Sequence, residues 1–198
     1  KRNGDKYDHL SLSKPEWLYI FFTFRMTGSG INYKENHGFG NSVHQHMVLN
    51  ATGLWGYADY FRDWDGKYAD TKGYQLPTIS YKHLSKGHLK HVCANEAPIM
   101  IEDMIDLFER SSERLSIVQL ADWIMNWMSN RGHKRFKFVA TATAMDVAEM
   151  FPDWVDPRSE VYVGSNAIRC LNLTLPKKRG VKQHTWYNDA LDYLIEYC

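Results

Sequence analysis

Apolar residues along this chain recur at three- and four-residue spacing far more often than they alternate, which predicts helices. Ser13-Lys14-Pro15-Glu16 is a capping-box pattern with proline in the first turn, so a helix is expected to begin there. Residues 17–26 are apolar almost all round, which predicts a central, buried helix. Gly28 suits the left-handed position that ends it. A second helix is expected from Asn41 or Ser42, because Val43, Met47, Ala51, Leu54, Trp55, Ala58 and Phe61 share helical spacing. Residues 62–95 lack clear periodicity and read as an irregular insertion.

Asn95 reads as the cap of a helix with Ile101, Met104, Ile105 and Phe108 on one face. Ser116-Ile117-Val118-Gln119 is a second capping box, ahead of Leu120, Ile124 and Met128, with an end near Gly132. Residues 141–151 predict a further helix. Asp156-Pro157 predicts a cap with proline behind it for a helix through Leu171, and residues 187–198 a last helix with Leu191, Leu194 and Ile195. With few period-two stretches and no internal repeat, residues 1–198 read as a single, mainly α domain. Lys1 is not an initiator methionine, so the numbering is expected to begin inside a longer or trimmed polypeptide.

Composition narrows the function classes. A hydrophobic content of 44% with seven Trp, twelve Tyr and nine Phe indicates a packed core and excludes a disordered chain. Cys93, Cys170 and Cys198 form an odd, sparse set without a Cys-x-x-Cys pair, which points to a reducing compartment, the cytoplasm. No apolar run reaches the length of a membrane span, so no membrane partner is expected. The net charge of +1 makes bulk attraction to nucleic acid weak and leaves local clusters to decide.

The stretch Arg25 to Ser42, RMTGSGINYKENHGFGNS, concentrates four glycines between two expected helices. It is not a P-loop, because neither Gly30 nor Gly40 is followed by Lys-Ser or Lys-Thr. It is not a dinucleotide fingerprint either, since Tyr33 stands where the third glycine belongs. A helix start offers unpaired N–H groups and a positive dipole end, and glycines let backbone approach phosphate oxygens. Thr27, Gly28, Ser29, Gly30 and Asn41 are therefore candidate phosphate ligands, with Arg25, Lys34 and His37 supplying charge. The plainer alternative is a glycine C-cap followed by an ordinary loop.

Three segments mix cations with aromatics: Arg131 to Phe138, Lys177 to Trp186, and Tyr81 to His91. Such patches neutralise phosphates and stack bases, so Arg131, His133, Lys134, Arg135, Lys137, Lys177, Lys178 and Arg179 are candidate DNA contacts. Each segment also suits a solvated turn beside a helix C-terminus. His83, His88, His91 and Cys93 cluster without a common zinc spacing, and His44 and His46 point apart on a helix, so no metal site is expected. Asp153 and Asp156 stand at the turn before an expected helix, where they can cap it or face a cleft as bases.

FRMTGSGINYKENHGFGN resembles the N-terminal signature of the α-glutamyl/putrescinyl thymine pyrophosphorylases, the group that includes phage amino acid:DNA transferases. MDVAEMFPDWVDPRSEVYVGSNAIRCL resembles their later segment and that of helical DNA-glycosylase-like folds. The two blocks cover about a quarter of the chain. The resemblance implies a helical DNA-glycosylase-like bundle with long loops, encoded by a phage and working in the cytoplasm of its bacterial host. It implies action on a thymine-like base whose 5-methyl group carries a pyrophosphate, which an amino acid or polyamine displaces. Mg²⁺ is a companion of the pyrophosphate in that chemistry, and no other cofactor is implied. Asp156, Asp153 and His37 become candidates for the group that takes the amine's proton.

The sequence departs from the family in one respect: no clear helix-hairpin-helix signature is present, and Arg131-Gly132-His133 stands in its place. Three readings stay open. The chain is a transferase releasing pyrophosphate, a glycosylase-like enzyme releasing a base, or a noncatalytic DNA-binding module.

Overall fold

Helices carry most of the described residues, as the spacing predicts. The computed structural model describes residues 12–27, 43–65 and 86–162. Backbone contacts divide the chain into two compact units, Lys1–Arg110 and Ser111–Cys198, a division that the reading of one helical domain did not draw. The helices expected beyond residue 162 and the glycine-rich segment 28–42 lie outside the described residues.

The first unit begins with α1 (Lys14–Thr27). Glu16 reaches back to the Ser13 N–H at 2.6 Å, as a capping box requires. The Ser13 hydroxyl departs from the motif and donates to the same carboxylate oxygen, also at 2.6 Å. The other oxygen accepts the Gly53 N–H at 2.7 Å, and the Tyr57 hydroxyl bonds to the carboxylate as well. Burial pushes the Glu16 carboxyl upward, but the bonds from Ser13, Gly53 and Tyr57 outweigh it and hold the group below its ordinary range. Burial first, then the charge and hydrogen bond of Glu16, push the Tyr57 phenol up to about 12.

Glu16 explains why the helix expected from residue 41 or 42 to 61 is two helices. The chain forms α2 (Val43–Asn50), breaks, and restarts as α3 (Leu54–Asp63). Gly53 stands at the break with φ 76°, a conformation outside the helical region that favours glycine, and its N–H goes to Glu16. The restart turns Trp55 outward to 45% exposure, where its indole N–H meets Glu102 at 2.8 Å.

The segment 86–95 is helical, not irregular. Here α4 (Lys86–His91), a π-helical turn (Val92–Glu96) and α5 (Ala97–Arg110) follow without interruption. Asn95 is therefore no helix start. Its side chain pairs with His91 Nδ1 at 3.0 Å and accepts from Arg62 Nε at 3.4 Å. Residues 66–85 lie outside the described residues. The core of this unit joins Leu18, Tyr19, Phe22 and Met26 of α1 to Tyr57 and Phe61 of α3 and to Met100, Ile101 and Met104 of α5, all fully buried. Each such side chain contributes roughly 1.5–3 kcal/mol of transfer free energy.

In the second unit, β1 (Leu115–Ser116) leads into α6 (Ile117–Asn130), a turn, α7 (Lys137–Met150) and β2 (Val155–Asp156). The capping box at Ser116 is complete: its hydroxyl accepts the Gln119 N–H at 3.1 Å, and Gln119 Oε1 accepts the Ser116 N–H at 2.7 Å. The two short strands pair in parallel, Leu115 with Val155 and Ser116 with Asp156. A small-residue face on α7, Ala140, Thr143, Ala144 and Ala148, lets it pack closely on α6. The helix begins at Lys137, four residues earlier than the pattern suggests, and Val139 and Ala140 extend its buried face.

His44, on α2, is buried with its ring edge-on to Phe24 and Phe61. The Thr23 hydroxyl donates to the Tyr19 carbonyl at 2.7 Å, so His44 Nε2, 2.9 Å from the same hydroxyl oxygen, is the donor in their contact. Burial pushes the imidazole from its ordinary 6.5 down to about 3. Its contribution to stability is complete above pH 6.5 and is lost as pH falls towards 3, because the unfolded chain then binds a proton that the folded one refuses.

Unfolding free energy is expected to fall between about pH 7 and pH 5 by up to about 1.4 kcal/mol per unit from this residue. Urea titrations of wild type and His44→Gln measure it: the variant is less stable at pH 7 and its pH dependence is flatter. Glu16 acts in the same direction only below its ordinary 4.5, outside that window. For Glu16→Gln, the amide must turn an NH₂ towards one of its N–H or O–H donors. The expected loss at neutral pH is about 1.5–3 kcal/mol.

Candidate nucleic-acid interface

The turn between α6 and α7 is built by hydrogen bonds that end the first helix. The His133 N–H bonds to the Met128 carbonyl at 2.9 Å and the Gly132 N–H to that of Ser129 at 3.0 Å, the pattern of a Schellman motif. Gly132 holds φ 81°, the left-handed position the motif needs. This reverses the chain and presents residues 131–137 as a cationic edge.

Three cations on that edge are held against side chains with which they share the unit. Arg131 lays its guanidinium 4.4 Å from the Trp127 ring centre, one turn back on α6. Arg135 donates to the side chain of Asn126. Lys137 places its ammonium 3.9 Å from the centre of the Tyr162 ring. Tyr162 in turn donates its hydroxyl to Asp122 at 2.8 Å. Burial, then that bond and the charges of Asp122 and Glu160, push the phenol up to about 12, with Arg135 opposing. Lys134 is exposed. Cations spread over aromatic faces suit phosphate contact beside a stacking surface.

The remaining predicted residues are scattered. Arg25 lies in the last turn of α1, 6.0 Å from the Phe24 ring centre, and Thr27 ends that helix with its hydroxyl donating to the Phe24 carbonyl at 3.3 Å. Gly28, Ser29, Gly30, Lys34, His37, Asn41, Lys177, Lys178 and Arg179 lie outside the described residues. Asp153 is exposed within the turn that follows α7.

Asp156 does not cap a helix over the described residues. It ends β2, and residues 157–162 are turn and irregular chain. Its carboxylate accepts the Arg158 N–H at 3.0 Å, while its carbonyl accepts the Ser159 hydroxyl at 2.6 Å. Ser159 Oγ then accepts the Ile117 N–H at 2.8 Å, tying this turn to the start of α6. The parallel pairing with Ser116 fixes Asp156 in extended backbone, which overrides the cap-and-proline pattern.

Trp127, Asn126, Asp122 and Tyr162 were not among the residues singled out from sequence. The i,i+4 spacings Trp127–Arg131 and Asp122–Asn126 carry the available signal, whereas Tyr162 meets Asp122 across 40 residues. Comparison with protein-family models, curated proteins and solved structures finds no match. Among the described residues no helix is long and apolar enough to cross a membrane.

Replacing Lys134, Arg135 and Lys137 together by alanine is expected to weaken duplex DNA binding at all sequences. About three lost phosphate contacts reduce the logarithmic salt slope by roughly 2–3. Fluorescence anisotropy over a salt series reads this directly, and an unchanged slope removes the turn from the interface.

Proposed function

We propose that the chain is a DNA-modifying transferase, in which an amino acid or polyamine displaces pyrophosphate from a 5-(pyrophosphoryloxymethyl)uracil base in phage DNA. The observation that carries this reading is the glycine-rich stretch from Arg25 to Ser42 and its resemblance to the thymine pyrophosphorylases. Two structural features support it. The stretch follows the end of α1, with Arg25 in the last turn, and precedes α2, so it leads towards a helix start of the kind that receives anions. The α6–α7 turn supplies an independent edge for the DNA backbone.

The chemistry follows from charge. A departing pyrophosphate gathers negative charge, which preorganised N–H groups and cations stabilise. Arg25, Thr27, Gly28, Ser29, Gly30, Lys34 and Asn41 take that role, and Mg²⁺ enters as a companion of the pyrophosphate. The base must leave the stack, for which the aromatic residues beside the cationic turn provide a surface. The incoming ammonium must lose a proton, and Asp156, Asp153 and His37 are its assigned acceptors. The enzyme works on DNA in the cytoplasm of the infected bacterium.

Mass spectrometry of nucleosides, after the protein is incubated with pyrophosphorylated DNA and a panel of amines, tests the reading. The expected outcome is an aminomethyl uracil nucleoside with one equivalent of pyrophosphate. Release of free base would assign the chain to base excision, and no change in the DNA would leave binding alone.

A further inference from the structure

Two arginines of the first unit are neutralised where they stand. Arg62 meets Asp59 at 2.6 Å and Arg110 meets Asp106 at 3.1 Å, each within about one turn of its own helix. Arg135 and Lys137, beside the α6–α7 turn, are held differently. Arg135 donates to the neutral amide of Asn126, and Lys137 rests its ammonium on the Tyr162 ring, 3.9 Å from the centre. Among the described residues neither of these two cations forms an ion pair.

A carboxylate is nevertheless close. Asp122 lies one turn before Asn126 on α6, so the two share one face of that helix. Asp122 Oδ1 accepts the Tyr162 hydroxyl at 2.8 Å. The phenol therefore carries a carboxylate at its hydroxyl end and an ammonium over its face. Glu160 also bears on the phenol through its charge, but Asp122 is the carboxylate bonded to it. With the phenol pushed up to about 12, chiefly by burial, the hydroxyl stays a donor near neutral pH.

The arrangement decides what Lys137 can do. A lysine pivots on a four-carbon stem, and without the ring its ammonium would settle on the nearby carboxylate. An ammonium paired in that way must break the pair, or bring the negative charge along, before it meets a phosphate. One that rests on a neutral ring keeps its full charge for the phosphate and releases that phosphate's counterion.

We propose that Tyr162 is a spacer in the nucleic-acid interface: it occupies Asp122 with its hydroxyl, seats Lys137 on its ring, and so keeps the two charges from cancelling. Tyr162 and Asp122 are positioning residues for a phosphate contact that Lys137 makes, and neither needs to touch DNA. The inference rests on the α6–α7 turn as a DNA contact and is independent of the reaction carried out on the base. A polyanion is the partner that this device fits, because a neutral ligand gains little from an unneutralised ammonium.

Fluorescence anisotropy of the full chain with a labelled duplex over a salt series tests this. Tyr162→Leu removes the spacer and is expected to lower the magnitude of the logarithmic salt slope by about 1, the share of one phosphate contact. At about 0.15 M salt the matching loss of affinity is about fivefold. Asp122→Asn is expected to restore the slope in the Tyr162→Leu background and to leave it unchanged in the wild type. A merely structural role for Tyr162 would give a loss that Asp122→Asn does not repair. In a Lys137→Gln background, Tyr162→Leu is expected to change the slope no further. Tyr162→Met replaces Tyr162→Leu throughout if thermal melting shows the leucine variant unfolded. A wild-type slope in the spacer variant, no recovery with Asp122→Asn, or a further fall in the Lys137→Gln background overturns this inference only. A wild type that binds no duplex, or an unchanged slope when Lys134, Arg135 and Lys137 are replaced together, overturns the DNA reading of the turn and this inference with it.

Discussion

The first unit is organised by one carboxylate. Glu16 gathers donors from Ser13, Gly53 and Tyr57 and so joins the start of α1 to the start of α3. Charge-assisted bonds of this kind are roughly twice as strong as neutral ones, and here they overcome the cost of burying the charge. Two arms extend from that junction. Along α1, Tyr19 sends its hydroxyl to the Cys93 carbonyl at 2.9 Å. Along α3, Arg62 reaches the Ala94 carbonyl and Asn95. Both arms converge on the π turn, whose irregular hydrogen bonding needs such outside donors.

The second unit is organised differently, by signals that are mostly local. The capping box at Ser116 starts α6 and the Schellman motif at Gly132 ends it, each within six residues. The strand pairing of Leu115 with Val155, the Ile117–Ser159 bond and the Tyr162–Asp122 bond close the hairpin across its length. The cationic edge sits at a locally specified turn, the one that the Schellman motif at Gly132 sets. Its cations are held by residues one to three turns back on α6 or by Tyr162, so the aromatic surface and the charges are ordered together.

This contrast explains what could be read from sequence. The capping box at Ser116, the Glu16 half of the one at Ser13, the buried character of α1, the face of Ile101, Met104 and Phe108, and the end at Gly132 are short-range patterns, and each is present. The break at Gly53 was hidden because the pattern from Val43 to Phe61 is helical on both sides, and the deciding partner, Glu16, is 37 residues away. The π turn was hidden for a related reason. Its insertion shifts the register by one residue, so His91 and Glu96, five apart, match no α-helical spacing. Asp156 was misplaced as a helix cap because a parallel pairing across the hairpin decides its backbone. The cations of the turn were legible from their density, their aromatic partners only in part.

The described histidines show why burial decides what such a residue can do. His44 sits between Phe24 and Phe61 with its pKa pushed down to about 3, so near neutral pH it neither gains a proton nor offers one to a ligand. It serves the join between α1 and α2. His46, two residues on, lies half-buried with its ring 5.2 Å from that of Trp64. His91 differs from both: its side chain is 48% exposed, with Asn95 at Nδ1 and Glu96 3.3 Å from Nε2. A regular helix would set His91 and Glu96 on different faces, so the π turn is what brings the imidazole within 3.3 Å of the carboxylate.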